Sequence, residues 1–214
     1  FHPTERNWAL VSANTICEDY EGNEPCRIVK ELYVTQTLGN DWKLLGDYIN
    51  QFNWGIQKES HIKAGIPKER ILLTYQPGGR GTQKIYTGYS YKHDFVYSDN
   101  FFKTKIVRIL KVSRFLIKND LLYVVHLLDE ESQLVTLLQA NCTQKKYNFE
   151  PIVTNQNSFA QHSFKFLYSS GSGIFLYINN LGKSIKFGNI YSSDAEGKKF
   201  ALSVKNNIQL LDNE

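Results

Sequence analysis

Methionine is absent from the 214 residues, cysteine occurs three times and proline five. With no initiator methionine, the chain reads as an internal segment of a longer protein. The lack of a basic-then-apolar leader before its opening FHPTERNWAL therefore says nothing about destination. No run approaches the roughly 18–20 apolar residues that a membrane-spanning helix needs, so this segment is expected to make no membrane contact. The net charge of +4 is thinly spread, and Lys145-Lys146 and Lys198-Lys199 are the only adjacent basic pairs. That is too little for a surface that tracks phosphates, which excludes nucleic acid as a partner. No further cysteine or histidine stands at ligand spacing from the cysteines, so neither a zinc site nor any other cofactor is expected. Charged residues make up only 21% against 42% hydrophobic, which excludes a disordered tail.

What the chain does have is aromatic residues, at 14%, with 13 Tyr and 13 Phe. Such residues fit pleated, half-buried surfaces. Short apolar and aromatic runs recur at 8–13, 28–35, 42–45, 70–75, 84–91, 94–98, 106–112, 115–117, 121–128, 134–139, 164–168, 174–178, 189–192 and 199–204. Between them lie clusters such as Gly39-Asn40-Asp41, Pro77-Gly78-Gly79-Arg80-Gly81, Lys118-Asn119-Asp120 and Asn179-Asn180-Leu181-Gly182, rich in residues that accept positive φ or cap turns. No window of a dozen residues keeps a helical stripe, and only residues 58–64 suit a single helical turn. The pattern predicts an all-β chain long enough for one sizeable core, built as a sandwich, barrel or propeller.

An internal repeat chooses among these. LYVTQTLGNDWKLL, DFVYSDNFFKTK and NIYSSDAEGKKFALSV share a strand, a small polar turn and an aromatic residue. In the first, Thr35, Thr37, Gly39 and Trp42 fill the pattern Ser/Thr-x-Asp/Thr-x-Gly-x-x-Trp. In the third, Ser193, Asp194, Gly197 and Phe200 fill a close variant, and the middle copy keeps Tyr97, Ser98, Asp99 and Phe102. A hydroxyl and a carboxylate at this spacing accept hydrogen bonds from the turn's own N–H groups, glycine takes the positive φ, and the aromatic re-enters the core. This device explains each position without a substrate, so the aspartates are expected to be hairpin fasteners. Trp8, Trp42, Trp54 and Phe200 are likewise expected to pack between sheets.

Cys17 and Cys26 bracket the acidic, turn-forming EDYEGNEP. A disulfide there would staple the loop in an oxidising compartment; two unpaired thiols in a reducing one are the alternative. Cys142 is left over for a partner outside the segment, and Asn141-Cys142-Thr143 is an N-glycosylation sequon that matters only in a secretory chain. Gly182-Lys183-Ser184 imitates the end of a phosphate-binding loop, but the upstream glycine is replaced by Tyr177. Neither a Gly-x-Ser-x-Gly elbow nor a His-Glu-x-x-His pair occurs.

The repeated turns resemble the Asp-box hairpins of β-propellers, and their flanks narrow the likeness. FHPTERNWAL, Cys17 and Cys26, then ELYVTQTLGNDWKLL with Phe52 and Trp54, resemble the luminal domain of the sortilin family, the vacuolar protein sorting receptors of yeasts. FVYSDNFFKT and FGNIYSSDAEGKKFALSV are similar to further family segments, whereas residues 107–161 carry no matching motif. Thr37 stands where the family's first turn usually has Asp. The resemblance implies a partial β-propeller, a few blades of a larger, ten-bladed ring, with approximate limits 1–60, 61–115, 116–170 and 171–214. It implies a non-enzymatic receptor that binds soluble secretory or vacuolar cargo in the late Golgi for delivery to an endosome or vacuole, on a surface that sequence does not map. Cargo release in such a cycle follows acidification, and His2, His61, His93, His126 and His162 are the side chains that titrate there, each expected to be a plain structural or surface histidine. Two alternatives stand beside this one. An Asp-box glycoside hydrolase of sialidase type needs paired carboxylates or a Tyr nucleophile with a basic cluster, and the six arginines form no such signature. A degenerate paralogue would keep the fold without cargo. If Cys17 and Cys26 are paired, neither takes up iodoacetamide until reductant is added; alkylation of both without reductant overturns the disulfide.

Overall fold

A computed structural model describes residues 1–15, 29–77, 93–118, 120–129, 131–132, 134–155, 158–160, 163–167, 173–179 and 187–209. The expected strand at 84–91 and both Cys17 and Cys26 lie outside them. Among the described residues every regular element but one is a β-strand, as the aromatic and β-branched runs predict. The exception, α1 (Glu59–Lys63), is the single turn expected near 58–64.

The chain divides into two units, Phe1–Arg114 with Cys142–Lys145, and Phe115–Asn141 with Lys146–Glu214. In the first, β1 (Ala9–Thr15), β2 (Val29–Thr35) and β3 (Lys43–Gly46) form an antiparallel sheet with β2 central. Then β4 (Ile49–Trp54), β5 (Ile71–Tyr75), β6 (His93–Ser98) and β7 (Ile106–Lys118) pair in sequence order, all antiparallel. The runs at 106–112 and 115–117, which read as separate strands, are one. Phe95 pairs with Ile109 but His93 with Val112, so β7 carries an extra residue, and Lys111 at φ +55 sits in the gap. A bulge bends the strand without ending it.

Strand alternation locates the first unit's core. Leu32 and Val34 of β2 point inward, against Trp8 and the β4–β6 face formed by Ile49, Trp54, Ile71, Leu73 and Val96. Strand β5 loses the alternation of a half-exposed strand because Ile71, Leu72, Leu73 and Thr74 are all buried, so both its faces are covered. The opposite face of the first sheet stays open: Val11, Tyr33 and Leu44 stand side by side across the three strands, with Val11 and Leu44 exposed.

In the second unit, β8 (Leu121–Asp129) and β9 (Leu134–Asn141) form a hairpin, and β9 also pairs β10 (Glu150–Pro151) at one end and β11 (Phe159–Ala160) at the other. A four-stranded antiparallel meander follows: β12 (Phe164–Leu167), β13 (Phe175–Asn179), β14 (Phe187–Ser193) and β15 (Phe200–Gln209).

Candidate functional site

Thr35 ends β2 with its side chain buried, and its Oγ1 accepts hydrogen bonds from the N–H groups of Thr37 (3.1 Å) and Gly39 (2.9 Å). Thr37 Oγ1 accepts from Asp41 N–H at 3.0 Å. Leu38 and Gly39 both take positive φ, +57° and +91°, and Thr37 carbonyl accepts from Asn40 N–H, as in a type I′ turn. The middle copy repeats this bond for bond. Ser98 Oγ accepts from Asn100 (3.3 Å) and Phe102 (2.9 Å), and Asn100 Oδ1 accepts from Thr104 N–H at 3.0 Å. Thr35, Thr37 and Gly39 thus correspond to Ser98, Asn100 and Phe102, and Phe102 tolerates φ +59° where the first turn has glycine.

This corrects the assignment of Asp99 to the turn by one position. Asn100 supplies the acceptor, and Asp99 faces Arg70, whose Nε and Nη2 donate to its two carboxylate oxygens at 2.6 and 3.0 Å. Arg70 is wholly buried; it also donates to the carbonyls of Gln144 and Lys145, at 3.0 and 2.6 Å, and its guanidinium lies 4.9 Å from the Tyr97 ring centre. Gly55 makes room for this: a Cβ there would strike Arg70 Cγ and lie 2.7 Å from Cδ.

The third turn keeps half of the device. Asp194 Oδ1 accepts from Lys198 N–H at 2.9 Å and its carbonyl from Gly197 N–H at 3.1 Å, with Gly197 at φ +66°. The hydroxyls go elsewhere: Ser193 Oγ accepts from Ile174 N–H, and Ser192 bonds Ser203. Phe200 re-enters the core as expected, edge-on to Tyr123, whose hydroxyl donates to Gly197 carbonyl at 2.7 Å and whose burial pushes its pKa up. Lys198 pairs with Glu150, a contact that raises its pKa.

Trp42 departs from expectation. It is 46% exposed, its indole laid against Gly39 at 3.7 Å from where a Cβ would stand. The ring therefore cannot pack between sheets. It lines a cleft of about 570 Å³ with Val34 and Phe101, and with Asp41, Lys43, Glu69, Asn100 and Lys103. Phe101, from the middle turn, packs edge-on to Trp8 at 5.2 Å. Sequence reading missed the polar members of this cleft and Arg70. The one available signal for Arg70 was a charged residue set directly against the unbroken apolar run of β5.

The FHP element is explained by His2, buried edge-on to Trp8 and Trp54 at ring-centre distances of 5.3 and 4.5 Å. Its Nδ1 accepts from the N–H groups of Thr4 and Glu5, and Nε2 lies 2.9 Å from Lys68 carbonyl, so the proton sits on Nε2. Burial lowers its pKa, against the raising influence of Lys68 carbonyl and Glu5. His61 is also buried, with Nδ1 near Gln57 N–H, and burial alone lowers the pKa of His93. His126 is half-buried in β8, and His162 lies outside the described residues. Asn141 stands half-buried at the end of β9, and Cys142 is fully buried, which puts its thiol out of reach of a partner outside the segment. No group of three or more His, Cys, Asp or Glu able to hold a metal occurs among the described residues.

Antiparallel hairpins fastened by hydroxyl and Asx acceptors define a box-turn, all-β domain with an open cleft beside two of its turns. The chain belongs to the sortilin–Vps10 family, described as sortilin, neurotensin receptor 3, whose pattern it matches over residues 1–213. That is a family of receptors. No curated protein matches the chain. Among solved structures, the crystal structure of the N-terminal domain of Nup159 aligns at a TM-score of 0.40 and 10% identity, covering 91% of this chain and 48% of that one. The chain thus spans about half the length of that solved chain. No helix among the described residues is long and apolar enough to cross a membrane.

Two outcomes follow from the site. Asp99→Ala leaves the Arg70 guanidinium buried and unmatched, and urea unfolding should show a loss of about 3–5 kcal/mol; a loss below about 1 kcal/mol would show that the pair does not hold the unit. For His2, the folded pKa lies below the unfolded value of 6.5, so its contribution to stability is present above that pH and is lost as pH falls through the folded pKa. Glu5, Lys68 and Glu69 supply the neighbouring charges. His2→Gln should flatten the acid-side decline of the unfolding midpoint, whereas an unchanged slope would place the decline elsewhere.

Proposed function

We propose that this chain is the luminal part of a sorting receptor that binds soluble secretory or vacuolar proteins in the late Golgi and hands them to the endosome or vacuole. The observation that carries the reading is the family match over residues 1–213. Its strands are blades of a larger propeller, near the limits 1–60, 61–115, 116–170 and 171–214. Cys17 and Cys26 form a disulfide and Asn141 carries a glycan. Thr35, Thr37, Gly39, Ser98, Asn100, Asp194 and Gly197 hold the turns. In this role the domain binds and releases and performs no chemistry on its cargo; the membrane anchor and sorting tail belong to the rest of the receptor.

The buried polar contacts of the first unit support a rigid scaffold of the kind a cargo surface needs. Arg70 and His2 are each held from several directions, so loops attached to them keep fixed positions. Deleting the gene in its host should divert a vacuolar hydrolase to the medium, raising extracellular hydrolase activity several-fold while total activity stays constant. Unchanged hydrolase distribution, or turnover of a fluorogenic sialoside by the purified protein, would overturn the receptor reading.

A further inference from the structure

The cleft beside the first two box turns holds groups that the fold does not use. Trp42 exposes its indole beside Gly39, while Trp8 and Trp54 are buried. Around it, the side chains of Asp41, Lys43, Glu69 and Lys103 make no hydrogen bond or ion pair among the described residues. Asp99 and Asn100, which also line the cleft, are committed to Arg70 and to the turn. The uncommitted groups are two ammonium donors, two carboxylates and the neutral amide of Gln36, so their formal charges cancel.

From this composition we infer that the cleft binds a neutral saccharide. A pyranose ring has one face of C–H groups, which suits the open face of an indole, and a rim of hydroxyls that both donate and accept. Carboxylates accept from such hydroxyls and ammonium groups donate to them, so each uncommitted side chain finds a partner of the right polarity. A strongly anionic or cationic ligand would meet as much repulsion as attraction here. The cleft volume, about 570 Å³, falls in the range of small-molecule sites and accommodates one or two sugar rings. The second hollow, about 330 Å³ beside the third turn, has Phe200 in its lining, but that ring is buried and presents no open aromatic face. The saccharide site does not depend on cargo sorting, and either can fail alone.

The test uses the full 214-residue chain with methyl α-mannoside, chitobiose and a capped neutral tetrapeptide as probes. Saturation-transfer NMR on the probe reports binding without relying on tryptophan, and indole emission reports whether Trp42 is touched, because the other two tryptophans are buried. A shallow site of this kind should give saturable saccharide binding at Kd of about 0.1–10 mM. Trp42→Ala should weaken it at least ~10-fold and abolish the emission change, with the circular dichroism spectrum and urea midpoint preserved. Glu69→Gln, which keeps the shape and removes the charge, should weaken it by a smaller factor. Absence of saturable saccharide binding, wild-type binding by Trp42→Ala, or saturation by the tetrapeptide and by neither saccharide would each overturn the proposal.

Discussion

A guanidinium taken wholly out of water is the most demanding group in the first unit. Removing such an ion from solvent costs several kcal/mol, and only a complete set of charge-assisted partners offsets it. Arg70 finds that set in parts of the chain 29 to 75 residues away: the Asp99 carboxylate and the carbonyls of Gln144 and Lys145. The consequence is topological. Residues Cys142–Lys145 count with the first unit although the chain on either side of them belongs to the second. Gly55 belongs to the same constraint, because the chain after β4 must pass against the arginine stem with no side chain between.

The box turns answer a smaller problem of the same kind. A tight reversal leaves N–H groups with no strand to bond, and a buried strand end cannot leave them to water. One oxygen placed two and four residues before them suffices, and its charge is secondary. That is why a hydroxyl serves at Thr37, why Asn100 serves in the middle turn, and why, of the three turns, the third alone uses a full carboxylate. In the third turn the carboxylate acts alone, since Ser192 and Ser193 bond to neighbouring strands.

How much of this could be read from the sequence follows from the range of each interaction. Strands, turn positions and the all-β class depend on near neighbours, and they were legible in the runs between 8 and 204. The repeat was legible too, but its register in the middle copy was off by one, because Ser-Asp-Asn offers two adjacent residues with equivalent acceptors. The spacing of the first copy, Thr35 to Thr37, counted from Ser98 lands on Asn100, and Asp99 is held instead by Arg70. Trp42 misled for a related reason. Three residues after a glycine in the first turn, an aromatic has the spacing of a core residue, as Phe200 does in the third. It precedes β3 and has no cross-strand partner, so the spacing does not fix which way the ring turns, whereas Leu44, two residues on, lies on the outward face with Tyr33 and Val11.

That outward face explains how one fold provides both rigidity and an open site. Strand alternation commits Leu32 and Val34 to the core and leaves Val11, Tyr33 and Leu44 on the far side, while Leu45 of β3 packs back against the core. The turn leaves Trp42 beside Gly39 at the point where the chain joins β3. The middle turn places Lys105 at the position of Trp42 and carries its aromatics earlier, at Phe101 and Phe102, which go inward onto the Trp8 cluster. Two turns with the same hydrogen bonds thus send their aromatics in different directions, and the space between them becomes a cleft with one wall anchored in the core and the other facing solvent. The backbone device is conserved between the copies, while the direction of the side chains carries the difference that matters for binding.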